Sequence, residues 1–224
     1  IQLSEVKLEK NRLQTHSIGT HLLTLNSELI GESTSQKLSD CLVDYSSFYI
    51  KQYGALATPT FRGTSSSHTL VLWNGIPLNS IANGLLDLSI TQVHGFNEIA
   101  VVHGGDASVF GSGAMGGSIH LNSIPNIKKK KEIKLTIEQG SYGLESQNIC
   151  LKQGTDKLNF NLSLTSLKDE NSFIYTNTTQ LGHPSFVNNY GRIEAKSGKL
   201  NLAYKYDNST KFAVAYWHSA YDRE

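Results

Sequence analysis

From about residue 132 to its end, the chain alternates apolar and polar residues with a period of two. Ile133, Leu135 and Ile137 are interleaved with Lys134, Thr136 and Glu138. Ile149 and Leu151 alternate with Asn148, Cys150 and Lys152. Leu158, Phe160, Leu162 and Leu164 alternate with Asn159, Asn161, Ser163 and Thr165. Leu200, Leu202, Tyr204 and Tyr206, then Phe212, Val214 and Tyr216, repeat the pattern. Successive side chains of a strand point to opposite faces, so each of these five segments has one apolar and one polar face. Helical folds are excluded for this half of the chain.

The connections constrain the sheet further. Gly140–Gly143, Gly154–Lys157 and Asp207–Thr210 are short, whereas Asp169–Arg192 is long. Short turns at one end and longer loops at the other describe an outer-membrane barrel. A soluble β-sandwich uses the same alternation and stays open at this point, although five strands without a closing partner leave two bare edges. The 224 residues suffice for one large domain or two ordinary ones. Only 17% are charged, 20 Lys and Arg oppose 19 Asp and Glu, and the formal net charge is +1. Global charge therefore gives no reason to expect a nucleic-acid partner. No run approaches the roughly 20 apolar residues of a spanning helix.

Residues before about 127 have a different texture: Gly-rich, irregular, with short strand patterns. Ser33-Thr34-Ser35-Gln36 fits a capping box that opens a helix, and Leu38, Cys41, Leu42 and Tyr45 follow at helical spacing. Strands are expected at Thr69–Trp73, Glu98–Val102 and Ser118–Asn122, with Asn74-Gly75 as a tight turn after the first. The run Lys128-Lys129-Lys130-Lys131 reads as a solvated hinge between the two regions. Cys41 and Cys150 specify neither a metal site nor a disulfide framework and read as unpaired packing residues.

Two segments carry more than pattern. One runs Pro59-Thr60-Phe61-Arg62-Gly63-Thr64-Ser65-Ser66-Ser67-His68, then Thr69-Leu70-Val71-Leu72-Trp73-Asn74-Gly75-Ile76-Pro77-Leu78-Asn79. The other contains Val101-Val102-His103-Gly104-Gly105-Asp106-Ala107-Ser108-Val109-Phe110, then Gly111-Ser112-Gly113-Ala114-Met115-Gly116-Gly117. Together they resemble the plug domain of TonB-dependent outer-membrane transporters. That resemblance implies an α+β plug domain followed by antiparallel strands of a transmembrane β-barrel, here the N-terminal part of a 22-stranded barrel. The organisation it implies is 1–12 as a TonB-box-like segment, 13–127 as the plug and 128–224 as about five barrel strands. A complete barrel needs far more chain, so the sequence is expected to be part of a longer receptor.

Within the family, Arg62-Gly63-Thr64-x-x-Ser67-His68 and Asp87-Leu88-Ser89 are most similar to the vitamin B12 (cobalamin) receptors. The resemblance implies ligand contacts at Leu56, Thr58, Ser65, Asn83 and Gly84. It implies structural roles in the plug for Arg62, Gly63, Asn74, Gly75, Gly111, Gly116 and Gly117, with Arg62 paired to barrel carboxylates. Ser4, Glu5, Val6, Lys7, Leu8, Glu9 and Lys10 lie where the family carries the TonB box, an extended segment that adds a strand to TonB. Lys7 and Glu9 depart from the apolar and small residues usual there. His103 stands where the family usually has Arg.

The implied function is uptake of a scarce nutrient, a corrinoid first and a ferric siderophore as the alternative. The implied partners are TonB, the ligand, the lipid bilayer and a surface lipoprotein. Neither a cofactor nor catalytic residues are expected. A soluble adhesion or carbohydrate-binding β protein is the alternative of another class. Gly111-Ser112-Gly113-Ala114-Met115-Gly116 spells G-x-G-x-x-G, but a β-type segment follows it instead of the helix a dinucleotide site needs. The eight histidines are scattered and no metal site is expected.

Overall fold

The computed structural model describes residues 21–33, 37–46, 48–53, 56–61, 63–104, 107–123, 130–188, 190–207 and 209–223. The expected TonB-box residues 4–10 and Arg62 lie outside these, as do Thr34, Ser35 and Gln36 of the expected capping box.

The N-terminal half is built on a mixed five-stranded sheet. Its strands are β1 (His21–Asn26), β4 (Thr69–Trp73), β5 (Ile76–Pro77), β6 (Glu98–His103) and β7 (Gly117–Asn122), in the order β1-β6-β7-β4-β5. All neighbours are antiparallel except β4 and β7. Three of these strands were expected at nearly the observed bounds, because each is a buried apolar run flanked by turn residues. The Asn74-Gly75 turn after β4 has positive φ at both positions, 49° and 86°, as the type I′ hairpin requires. Val71, Ile99, Val101, Ile119 and Leu121 form one side of the core. Helix α2 (Leu38–Tyr45) covers them with Leu38, Cys41 and Leu42, one face of its helical period. A separate hairpin, β2 (Tyr49–Tyr53) with β3 (Leu56–Thr60), adds Ile50 and Ala57.

One local expectation is corrected. The cap of α2 is Lys37, not the Ser33–Gln36 segment, and its side chain makes no capping bond. The Leu38 amide instead donates to the Thr91 carbonyl at 2.8 Å, so a tertiary contact starts this helix. Ser33 ends an earlier helix, α1 (Ser27–Glu32), which is capped by Asn26 accepting from the Glu28 and Leu29 amides.

The C-terminal half is a five-stranded antiparallel meander: β8 (Lys130–Gln139), β9 (Leu144–Gly154), β10 (Leu158–Asp169), β13 (Ile193–Lys205) and β14 (Lys211–Arg223). All five expected strands are present. The long loop carries a small hairpin, β11 (Ile174–Thr176) with β12 (Ser185–Val187), that the sequence pattern did not show.

This sheet is inverted relative to a soluble one. The apolar set is outside: Ile133 is 78% exposed, Leu135 66% and Val214 65%. The polar set is inside: Asn148, Asn161, Ser163, Lys199 and Asn201 are all buried, against the N-terminal half. A soluble sandwich buries the opposite face, so the arrangement fits lipid outside and a polar, plugged lumen. Register rows sharpen this. Ile133, Leu151, Leu162, Leu200 and Tyr216 form one outward row. Gln139, Glu145, Lys168, Glu194 and Asp222 form the outward row nearest the long loop, where the membrane-facing band has ended.

Candidate functional site

The N-terminal domain meets the barrel sheet along a polar seam, and four contacts define it. At the long-loop end, Arg223 of β14 pairs with Asp87 and also donates to Ser89 Oγ at 3.2 Å. Nearby, Lys37 pairs with Asp169 at 2.5 Å. In the middle, Lys199 of β13 donates from Nζ to the Gln92 and His94 carbonyls, both at 2.7 Å. Its ammonium lies 3.8 Å from the Phe96 ring centroid and 4.9 Å from that of Trp217. Toward the short-turn end, Ser123 Oγ donates to Asn201 Oδ1 at 2.8 Å, and the Trp73 indole donates to Ser123 Oγ at 2.9 Å.

Gly95 lets the segment Gln92–Phe96 come this close. Its φ is +88°, and an added Cβ would sit 2.8 Å from Ser163 Cβ and 3.0 Å from Lys199 Cδ. His94 is buried beside it, with no described partner for Nε2. Burial first, then the positive charges of Lys199 and Lys134, push its pKa down to about 4, so the ring is neutral at neutral pH. Sequence reasoning missed this seam. Lys199 and Asn201 fall on the polar face of β13 by parity, which was the available signal, but parity does not name their partners.

The residues expected to touch a ligand come together at one end. Ser65 and Ser67 hydroxyls are 3.1 Å apart, and Ser66 Oγ donates to Thr58 Oγ1 at 3.2 Å. Gly84 lies against Ser67, where an added Cβ would be 3.1 Å from Ser67 Cβ. Asn83 turns back on its own loop, its Oδ1 accepting from the Leu85 amide at 3.0 Å. Leu56 opens β3, and the next amide, Ala57, donates to Asp87 Oδ1 at 3.1 Å. Asp87 is the partner of Arg223, so this cluster stands at the long-loop end of the barrel. Ser65 and Asn83 are exposed, Leu56 and Gly84 half-buried, and Thr58 only 3% exposed. Thr58 therefore holds the Ser66 hydroxyl from below instead of presenting its own to solvent.

His103 is placed among rings, with centroids 4.7 Å from Phe61, 5.4 Å from Phe48 and 5.0 Å from His21. The G-x-G-x-x-G run is followed by β7, not by a helix. Gly116 and Gly117 serve close approach: added Cβ atoms would sit 2.4 Å from Thr64 Oγ1 and 2.5 Å from the Val102 carbonyl, respectively. Gly63 and Gly111 both have positive φ, 76° and 91°. Cys41 and Cys150 are free and buried, and burial pushes the Cys41 thiol up to about 11. Among the described residues, no three of His, Cys, Asp and Glu cluster as metal ligands would.

Residues 16–118 match the family model of the TonB-dependent receptor plug domain. A segment of 78 residues is 40% identical to the vitamin B12 transporter BtuB of Vibrio vulnificus, covering 35% of this chain and 13% of that protein. Among solved structures, the copper transporter OprC superposes with a TM-score of 0.70 over 90% of this chain and 31% of its own, at 14% identity. The ferric yersiniabactin uptake receptor FyuA of Yersinia pestis gives 0.66 over 90% of this chain and 32% of its own, also at 14% identity. These structural likenesses speak to fold. The chain spans between about an eighth and a third of the length of the proteins it matches.

Proposed function

With residues 16–118 belonging to the TonB-dependent receptor plug family, we propose that this chain is the plug and first barrel strands of an outer-membrane receptor that imports a scarce nutrient through TonB. The observation that carries the reading is the inverted sheet, with lipid-compatible residues outside and a plug held on its polar inner face. Such a protein binds its cargo at the outer end and is opened by work done on its N-terminal segment, here residues 4–10. No bond is made or broken, and catalytic residues are not required.

The cargo we propose is a corrinoid. The 40% identity to a vitamin B12 transporter lies in sequence, where cargo preference is encoded, whereas the 14% likeness to the ferric yersiniabactin receptor lies in fold. Leu56, Ser65, Asn83 and Gly84 supply one apolar and several small polar contacts at the long-loop end, suited to a large amide-bearing ligand. Isothermal titration of the detergent-purified protein with cyanocobalamin and with ferric chelates separates the two cargoes. Tighter binding of a chelate would overturn the corrinoid assignment and favour the siderophore reading. A surface lipoprotein would complete the capture of cargo, and its test is co-purification from cross-linked cells.

A further inference from the structure

The cargo cluster is held from two sides. Asn79 holds one loop from within the plug. Its Nδ2 donates to the Thr69 and Gly84 carbonyls at 3.0 and 2.8 Å, and its Oδ1 accepts from the Val71 amide at 2.7 Å. The loop bearing Asn83 and Gly84 is thereby tied to β4.

The hairpin bearing Leu56 and Thr58 is held differently. Ala57 stands between these two residues, and one neighbouring segment takes both of its backbone groups. Its amide donates to Asp87 Oδ1 at 3.1 Å, and its carbonyl accepts from the Leu88 amide at 2.8 Å. Leu88 is fully buried in the plug core. Asp87 Oδ1 also accepts from the Ser89 amide and hydroxyl, at 2.9 and 2.7 Å, which fixes the carboxylate on its own turn. Its Oδ2 pairs with Arg223 of β14, whose guanidinium also donates to Ser89 Oγ. One carboxylate thus joins β3, the turn at 87–89 and the barrel wall.

We propose that Asp87 is a positioning residue of the cargo site: through Arg223 it sets where Leu56 stands relative to the barrel wall. The inference rests on the reading of this cluster as the place where cargo binds. Cargo seated across the cluster meets one loop that follows the plug through Asn79 and one hairpin that is registered to the wall through Asp87. Its affinity therefore depends on Arg223, a barrel residue outside the cluster. Breaking the link leaves every contact group in place but lets the hairpin sample other positions, so apparent affinity falls with the population of the assembled site. For a part-exposed ion pair the expected fall is about fivefold.

The test uses the receptor purified from membranes in a non-ionic detergent and has two readouts. The first is hydrogen exchange without cargo. Arg223→Met should speed exchange of the Ala57 and Leu88 amides by about fivefold. The Gly84 amide, bonded to the Ser80 carbonyl inside the Asn79 loop, should not change. No acceleration at Ala57 and Leu88, or equal acceleration at Gly84, overturns the proposal. The second readout is calorimetric titration with cyanocobalamin. Asp87→Asn keeps an oxygen for the Ala57 amide and loses the charge for Arg223. It and Arg223→Met should each raise Kd about fivefold at unchanged stoichiometry, and the double variant should do no more than either, because all three break one link. Arg223→Lys should restore part of the loss, and Lys168→Gln, which breaks an outward-facing pair with Glu170, should leave Kd unchanged. Fewer competent sites at unchanged Kd would show a merely structural role and overturn the proposal. Failure of the wild-type protein to bind cyanocobalamin would overturn the corrinoid reading instead, and exchange at Ala57 and Leu88 would still decide whether the wall sets this hairpin.

Discussion

Replacing Lys199 by Met tests how the plug is held to the barrel wall. Lys199 is 1% exposed, and none of its described partners is a carboxylate. Two charged hydrogen bonds contribute about 1.5–3 kcal/mol each, and a desolvated cation over an aromatic face about 2 kcal/mol. Against these stands a desolvation cost of several kcal/mol for the ammonium, so the intact lysine stabilises only modestly in net terms. The larger effect comes from what Met leaves behind. The Gln92 and His94 carbonyls lose this donor in a dry seam, at roughly 1–3 kcal/mol each, while thioether contact with Phe96 and Trp217 returns about 1 kcal/mol. The expected net loss is about 2–4 kcal/mol, or roughly 30- to 1000-fold in the opening equilibrium of this segment. Hydrogen exchange reads it directly. The Leu38 amide, bonded to the Thr91 carbonyl, and the Asn97 amide, bonded to the Asn122 carbonyl, should exchange faster by that factor. Amides in the β10–β13 ladder should not change. Unchanged exchange at Leu38 and Asn97, or equal acceleration throughout the barrel, would refute the reasoning.

Gly95→Ala should open the same segment, because it imposes a positive φ on a residue with a Cβ and drives that Cβ against Ser163; a loss of about 2 kcal/mol is expected from the same exchange measurement. At Asp87 and Arg223 a double-mutant cycle should give a coupling of about 1 kcal/mol, since the pair is part-exposed. Asp87→Ala should cost more than Arg223→Ala, because Asp87 Oδ1 also accepts from the Ala57 and Ser89 amides; equal costs would show that those bonds contribute nothing. Lowering pH should loosen Gln92–Phe96 through His94. Its folded pKa, about 4, is below the ordinary histidine value of 6.5, so the unfolded form binds more protons between these values. Stability is full above about 6.5, falls by at most tenfold in equilibrium constant per unit as pH drops toward 4, and then levels off. His94→Leu should flatten that profile once intrinsic exchange is corrected for.

Much of the fold was legible because two periodicities are strong and local. Alternation found all five barrel strands, since every residue of such a strand faces either lipid or lumen. Helical spacing found α2. The small strands β1, β2 and β3 escaped, because they lack the flanked apolar runs that marked β4, β6 and β7, and five or six residues give too few repeats for alternation alone to show a strand. The start of α2 was misplaced for a different reason. Ser33-Thr34-Ser35-Gln36 satisfies a local capping rule, but Lys37 bridges Gln92 and the Leu38 amide is taken by Thr91. A contact more than fifty positions away in the chain displaced the local signal.

The candidate site shows the same division between local and distant information. Motif order pointed to the loops bearing Ser65 and Asn83, and the fold brings Ser67 against Gly84. The seam was illegible because its bonds join residues like Lys199 and Gln92, which no spacing rule relates. What parity did supply was the face. A lysine or asparagine in the polar register of an otherwise apolar strand must find a partner inside or be exposed to water. Here Lys199 and Asn201 find theirs on the plug, whereas Lys205, in the same register, stands at the rim. Substitutions at positions 199 and 205 should consequently separate cleanly, the first altering exchange in Gln92–Phe96 and the second leaving it unchanged.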